Sequence, residues 1–304
     1  MPRSKWVILC PMARSGSSHT SELLDAQERV RSHHGLFNEG PFGRWPANAF
    51  IPREREEYYS AFLDDSYTRV GGQERSGEFL DTYIFTDDPR YNPGGWESVG
   101  FKIQFVHFVH MPDLREYLIR NKDIKIVVNT RRHMLEHTCA ELWCSRGNAR
   151  AAREGRRYEF GDTGPIHVSP SNVIGTFRNL CRYREYAIST FDDGRDFFEW
   201  SYEDMFRADG SLDSEQHRRL FEFLEITPSD SFAPPFARTP RPSARDYLEN
   251  YDEVARDVSK ADGGVFRKYF DPSYDPRADR TWPVLPEYQL DDVMTERDNS
   301  RFRS

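Results

Sequence analysis

The sequence predicts an α/β fold built on one mainly parallel sheet with helices on its faces. Three observations carry that expectation. Short apolar runs at 6–10, 99–105, 124–128 and 196–202 have the length and the β-branched or aromatic content of strands. Helical patterns fall between these runs, and strand alternating with helix favours parallel pairing. The first run passes through Pro11 into the turn "PMARSGSSHT" and then a helical pattern at 21–30, which opens a βα unit.

The remaining elements follow in order. Residues 36–95 carry a weak signal. A helix is predicted at 53–70, with Tyr58, Tyr59, Phe62 and Leu63 on one side, before the turn-rich stretch "TDDPRYNPGGW". After the strand at 99–105 come a short helix at 111–121, the strand "IKIVV" and a helix at 134–145. The polar stretch 146–172 reads as a loop or lid. Ile174, Phe177, Leu180 and Cys181 set a core-facing helix over 172–188. The strand at 196–202 precedes helices at 214–226 and 243–258, and 281–304 reads as a polar tail. There is no internal repeat. One domain over 1–304 is expected, with variable insertions at about 45–95 and 147–170.

Composition narrows the function. With 42 Lys+Arg against 50 Asp+Glu the formal charge is −8, which disfavours a protein that coats nucleic acid but leaves room for a local anion pocket. Only six of the 42 basic residues are lysine, so the positive charge is almost all arginine. The cysteines, Cys10, Cys139, Cys144 and Cys181, are scattered and read as reduced thiols of a cytoplasmic protein. No apolar run approaches the ~18–20 residues that span a bilayer.

Two strand-to-helix turns concentrate anion-binding chemistry. "RSGSS", Arg14 to Ser18, places a glycine, three hydroxyls and a guanidinium at a helix start, where unpaired backbone N–H groups attract phosphate. The turn lacks the first glycine and the lysine of G-x-x-x-x-G-K-[ST], and it is not G-x-G-x-x-G. A generous N-cap is its bland alternative. Arg131 and Arg132 follow the buried strand at the carboxyl end of the sheet, where α/β proteins bind ligands. The next helix brings Thr138, Cys139 and Ser145. Together the two turns suggest an adenine nucleotide with phosphates at both ends. Simple pairing of the arginines with surface carboxylates is the alternative.

At these residues the chain resembles the sulfotransferases that use 3′-phosphoadenosine 5′-phosphosulfate (PAPS), and within them the bacterial carbohydrate-type branch. "ARSGSSHTSELL" is similar to that family's 5′-phosphosulfate loop, "VVNTRRHMLEHTCA" to its 3′-phosphate element, and "GFKIQ", "FFEWSYEDMF", "FEFLEI" and "YLENYDEV" to its later segments. The resemblance covers most of residues 5–258. It implies a P-loop-like nucleotide-binding sulfotransferase fold, and contacts from Arg14, Ser15, Gly16, Ser17, Ser18 and His19 to the 5′ end of the donor. It further implies Arg131 on the 3′-phosphate, with Arg132 the lesser contact. The family's serine position falls on Cys139 or Ala140, a departure that Thr138 can make good.

The implied reaction moves a sulfonate from PAPS to an acceptor hydroxyl in line. It requires leaving-group stabilisation and a proton acceptor within about 3 Å of the hydroxyl. No metal is demanded. Glu39 in "LFNEGPF" is the expected base, with His33 and His34 as rivals and His107 and His110 behind them. Lys102, within an apolar strand, is expected to aim its amine at the sulfonate or the acceptor. His133 and His137 lie four apart but lack a third ligand, so zinc is not expected. Among Trp45, Trp96 and Trp143, only Trp143 is read as near the site. The acceptor is expected to be a carbohydrate or glycosylated small molecule, with a non-sugar natural product or small alcohol second. Arg150, Arg153, Arg156 and Arg157 suit an anionic or polyhydroxylated acceptor, or else a solvated charge run. A homodimer is plausible. The competing classes are a P-loop-like nucleotide kinase, which would need Mg²⁺, and a non-catalytic nucleotide- or sulfate-glycan-binding module.

Overall fold

A computed structural model describes residues 2–11, 15–33, 77, 80–90, 92–105, 108, 112–153, 164–191, 194–207, 209–229 and 243–285. Five strands, β1 (Ser4–Cys10), β2 (Val30–His33), β3 (Ser98–Gln104), β4 (Ile124–Thr130) and β5 (Phe197–Ser201), form one sheet in the order β2-β3-β1-β4-β5. Every pairing is parallel. The central strand β1 lies between β3 and β4, with Ile8 opposite Lys102 on one side and Val127 on the other.

Period-two alternation along β1 divides the core. Trp6 and Ile8 face a cluster with Leu23 and Leu24 of α1 (Ser17–Asp25) and with Leu220, Phe221 and Leu224 of α6 (Ser214–Leu224). Val7 and Leu9 face the opposite cluster. There Leu114 and Leu118 of α2 (Pro112–Arg120) meet Tyr186 and Ala187 of α4 (Pro170–Thr190). The close approach at the sheet centre depends on Gly100. A Cβ there would lie 2.1 Å from the Trp6 ring and 2.4 Å from its carbonyl oxygen. A third cluster joins α3 (Met134–Arg153), the first half of α4 and α8 (Tyr251–Val258). The short helices α5 (Tyr202–Met205) and α7 (Ala244–Tyr247) complete the set.

Four elements depart from the sequence reading. Helix α1 starts at Ser17, directly after the glycine, and ends at Asp25, because residues 30–33 belong to β2. That strand, "VRSH", has only one aliphatic residue. Its Arg31 is buried by stacking 5.2 Å from the Trp96 ring and by pairing with Asp25 at 3.7 Å. Helix α3 continues to Arg153, through the first part of the predicted loop. The predicted helix at 243–258 is two helices, since Leu248 bridges to Ile166 and Asn250 bonds both backbone groups of Val168. Of the predicted tail, residues 281–285 belong to the described part and Trp282 lies 4.7 Å from the Arg184 guanidinium. The predicted helix at 53–70 lies outside the described residues.

Candidate anion-binding site

Adjacent strands β1 and β4 send their chains in opposite directions, β1 through α1 to β2 and β4 through α3 and α4 to β5. Their carboxyl ends therefore flank a topological switch point, the usual crevice for ligands in an open parallel sheet.

The turn after β1 is a backbone cradle. Gly16 adopts φ +83° at the N-cap of α1, in the left-handed region that favours glycine. A side chain there would also collide, its Cβ lying 2.8 Å from Met205 Sδ and 2.9 Å from Tyr202 Cδ2. No side chain caps the helix and no acidic residue occupies its first turn, so its first amides keep their attraction for an anion. Lys102 of β3 reaches this turn and donates from Nζ to Ser18 Oγ at 3.1 Å. Burial lowers its pKa, opposed by the nearby Cys10 and Glu22. The Ser15 hydroxyl is fully buried without a hydrogen-bond partner among the described residues. His19 packs on Phe206 at 5.1 Å, its Nε2 is buried without a partner, and burial followed by the neighbouring His217 lowers its pKa to about 4.

The turn after β4 is built from side chains. Arg131 has only 3% of its side chain exposed and lies over the Tyr202 ring at 4.9 Å. Its Nη2 donates to Glu136 Oε2 at 2.5 Å, while Nε and Nη1 are buried without partners among the described residues. Arg132 is fully engaged, with two bonds to Asp204 at 2.9 and 2.8 Å and a third from Nε to the Pro276 carbonyl at 2.6 Å. Glu203 fixes the backbone of this turn. Its carboxylate accepts from the amides of Arg132 at 2.9 Å and His133 at 3.1 Å, and from the Ser201 hydroxyl at 2.5 Å. The run Tyr202–Met205 thus touches both turns. Tyr202 and Met205 sit under Gly16, Tyr202 also under Arg131, while Glu203 and Asp204 hold the second turn.

The expected site residues divide three ways. Ser15, Gly16, Ser17, Ser18, His19 and Lys102 gather at the first turn, and Arg131 lies across Tyr202 from it. Cys139 instead packs in the apolar cluster of α3 and α4, wholly buried, with its thiol pKa raised first by burial. One residue earlier, the Thr138 hydroxyl is buried without a partner. Trp143 is a core residue, donating to the Gly164 carbonyl at 3.0 Å and packed on Tyr247. His33 is buried at the end of β2, opposite Phe101. His133 lies between Tyr274 at 5.4 Å and Tyr269 at 6.2 Å. Arg14, His34, Glu39, His107 and His110 lie outside the described residues, as do Trp45, Arg156 and Arg157. Sequence reasoning missed Glu203 and Glu136. The "YED" run signalled the first. The second had only its place five residues after Arg131.

Among the described residues, then, the molecule is a parallel α/β protein with uncapped helix amides and a buried guanidinium at one switch point. No helix among them is long and apolar enough to cross a membrane. Among solved structures, the chain is similar to the sulfotransferase STF1 from Mycobacterium tuberculosis H37Rv, at 14% identity and a TM-score of 0.40 over 84% of this chain and 76% of that one. It is also similar to the sulfotransferase STF9 from Mycobacterium avium, at 15% identity and a TM-score of 0.42 over 86% and 76% of the two chains. No family model and no curated protein matches the sequence.

Proposed function

We propose that the protein is a sulfotransferase that moves the sulfonate of PAPS to an acceptor hydroxyl of a carbohydrate or glycosylated small molecule. One observation carries this reading. Among the described residues, the buried polar atoms without partners include Ser15 Oγ after β1 and Thr130 Oγ1, Arg131 Nε and Nη1, and Thr138 Oγ1 after β4, beside others elsewhere in the fold. Each such atom costs roughly 1–3 kcal/mol when left unpaired, so those after β1 and β4 suit a ligand that carries many acceptors. A nucleotide phosphorylated at both ends supplies them.

In this reading the α1 amides, Ser15 to Ser18 and Arg14 hold the 5′-phosphosulfate and stabilise charge on the departing phosphate. Lys102, already at Ser18, stands where it can reach a bridging or sulfonate oxygen. Arg131 and Thr138 hold the 3′-phosphate. The acceptor oxygen attacks sulfur, the bond from sulfur to the phosphate oxygen breaks, and the acceptor proton passes to Glu39. The test is transfer of labelled sulfonate from PAPS to a panel of sugars and alcohols, read by mass spectrometry. Native protein should sulfate a hydroxyl acceptor, and Glu39→Gln should lower the single-turnover rate by about 10²–10⁴ with donor affinity unchanged. Absence of transfer to any acceptor, with PAPS bound, would leave a binding module instead.

A further inference from the structure

The two arginines after β4 have different counter-ions. Arg132 faces Asp204, which is 12% exposed, bound through both oxygens and approached by Arg280 at 3.5 Å as well. That pairing is part of the fold. Arg131 meets Glu136 through a single Nη2 bond, and Glu136 is 35% exposed in the first turn of α3. The other carboxylate oxygen of Glu136 lies 3.9 Å from His133 Nε2. The Glu136 carboxylate thus lies beside an imidazole as well as the guanidinium, in the first turn of a helix, where negative charge is favoured.

A guanidinium at 3% exposure is costly to leave without a counter-charge. If it serves an anionic ligand, something must balance it while the ligand is away. We propose that Glu136 is an exchangeable internal anion that holds Arg131 in the empty protein and surrenders it to the 3′-phosphate, thereby setting the affinity and selectivity for the doubly phosphorylated nucleotide. This rests on the nucleotide reading above. Phosphate and carboxylate compete for one guanidinium, so each molecule of ligand bound must displace Glu136 or share Arg131 with it against like-charge repulsion.

The test is calorimetric titration of adenosine 3′,5′-bisphosphate and adenosine 5′-phosphate into native protein, Glu136→Gln, Glu136→Asp and Arg131→Ala at fixed ionic strength. Glu136→Gln should bind the bisphosphate about tenfold more tightly, the scale of one competing ion pair removed, with adenosine 5′-phosphate unaffected. Glu136→Asp, which keeps the charge, should stay near native. The empty Glu136→Gln protein should melt lower than native and regain more on adding bisphosphate. Unchanged or weaker bisphosphate binding by Glu136→Gln, alongside a native preference for bisphosphate that Arg131→Ala abolishes, would overturn the Glu136 role alone. No native preference, and indifference to Arg131→Ala, would overturn the nucleotide reading and this inference with it.

Discussion

The turns after β1 and β4 end neighbouring strands and open the same crevice, yet they offer positive charge in opposite ways. The first presents backbone amides, hydroxyls and one lysine, with no acidic residue in its helical turn. The second presents two buried guanidinium groups, Arg131 on Glu136 and Arg132 on Asp204, over a backbone that Glu203 holds. The first leaves the amides of α1 without a side-chain cap. The second is balanced from within, Arg131 by Glu136 and Arg132 by Asp204. Chain geometry makes the difference. A glycine at φ +83° brings helix amides to the crevice at little cost, whereas a long arginine needs packing and counter-charge to hold its place.

Breaking the second turn should have the larger effect. Glu203→Gln keeps shape but loses an acceptor for one of three donors, so stability should fall by about 2–4 kcal/mol in denaturant unfolding. A loss under about 1 kcal/mol would show that the carboxylate does not brace the turn. Gly16→Ala attacks the first turn. It should cost about 1–3 kcal/mol through left-handed strain and collision with Met205 and Tyr202, and weaken phosphate binding at α1. Native-like stability and phosphate affinity would refute the cradle.

A pH effect of the same order as that of Gly16→Ala completes the comparison. His19 is depressed from 6.5 to about 4, so the folded state binds fewer protons than the unfolded chain between those values. Stability should be full above about pH 6.5, fall as pH drops towards 4 and level off below, by roughly 1–3 kcal/mol in all. His217 is shifted the same way, chiefly by burial, and adds to the trend. His19→Gln should flatten the slope, and an unaltered profile would place the acid sensitivity elsewhere.

The sheet was legible where burial is hydrophobic. "KWVILC" and "IKIVVNT" are surrounded on both faces, and an apolar run is their only solution. Strand β2 was not legible, because Arg31 is buried through Asp25 and Trp96, partners that no run of residues reveals, and His33 is a polar residue buried opposite Phe101. The Leu248–Asn250 break was hidden by helical periodicity and is imposed by Ile166 and Val168, about 80 residues away. At the site, glycine and hydroxyl spacing marked the first turn, since backbone chemistry is local in sequence. The second turn showed only its arginines. Glu203, some 70 residues on, holds the amides of Arg132 and His133, and its role could be read only once β4 and β5 were paired.

The most direct measurement of a site for two phosphates on one nucleotide is calorimetry of adenosine 3′,5′-bisphosphate against ATP, each with Mg²⁺ and with EDTA. Native protein is expected to bind the bisphosphate more tightly than ATP and equally well without Mg²⁺, and Arg131→Ala to abolish the preference. Tighter binding of ATP that requires Mg²⁺, untouched by Arg131→Ala, would contradict it.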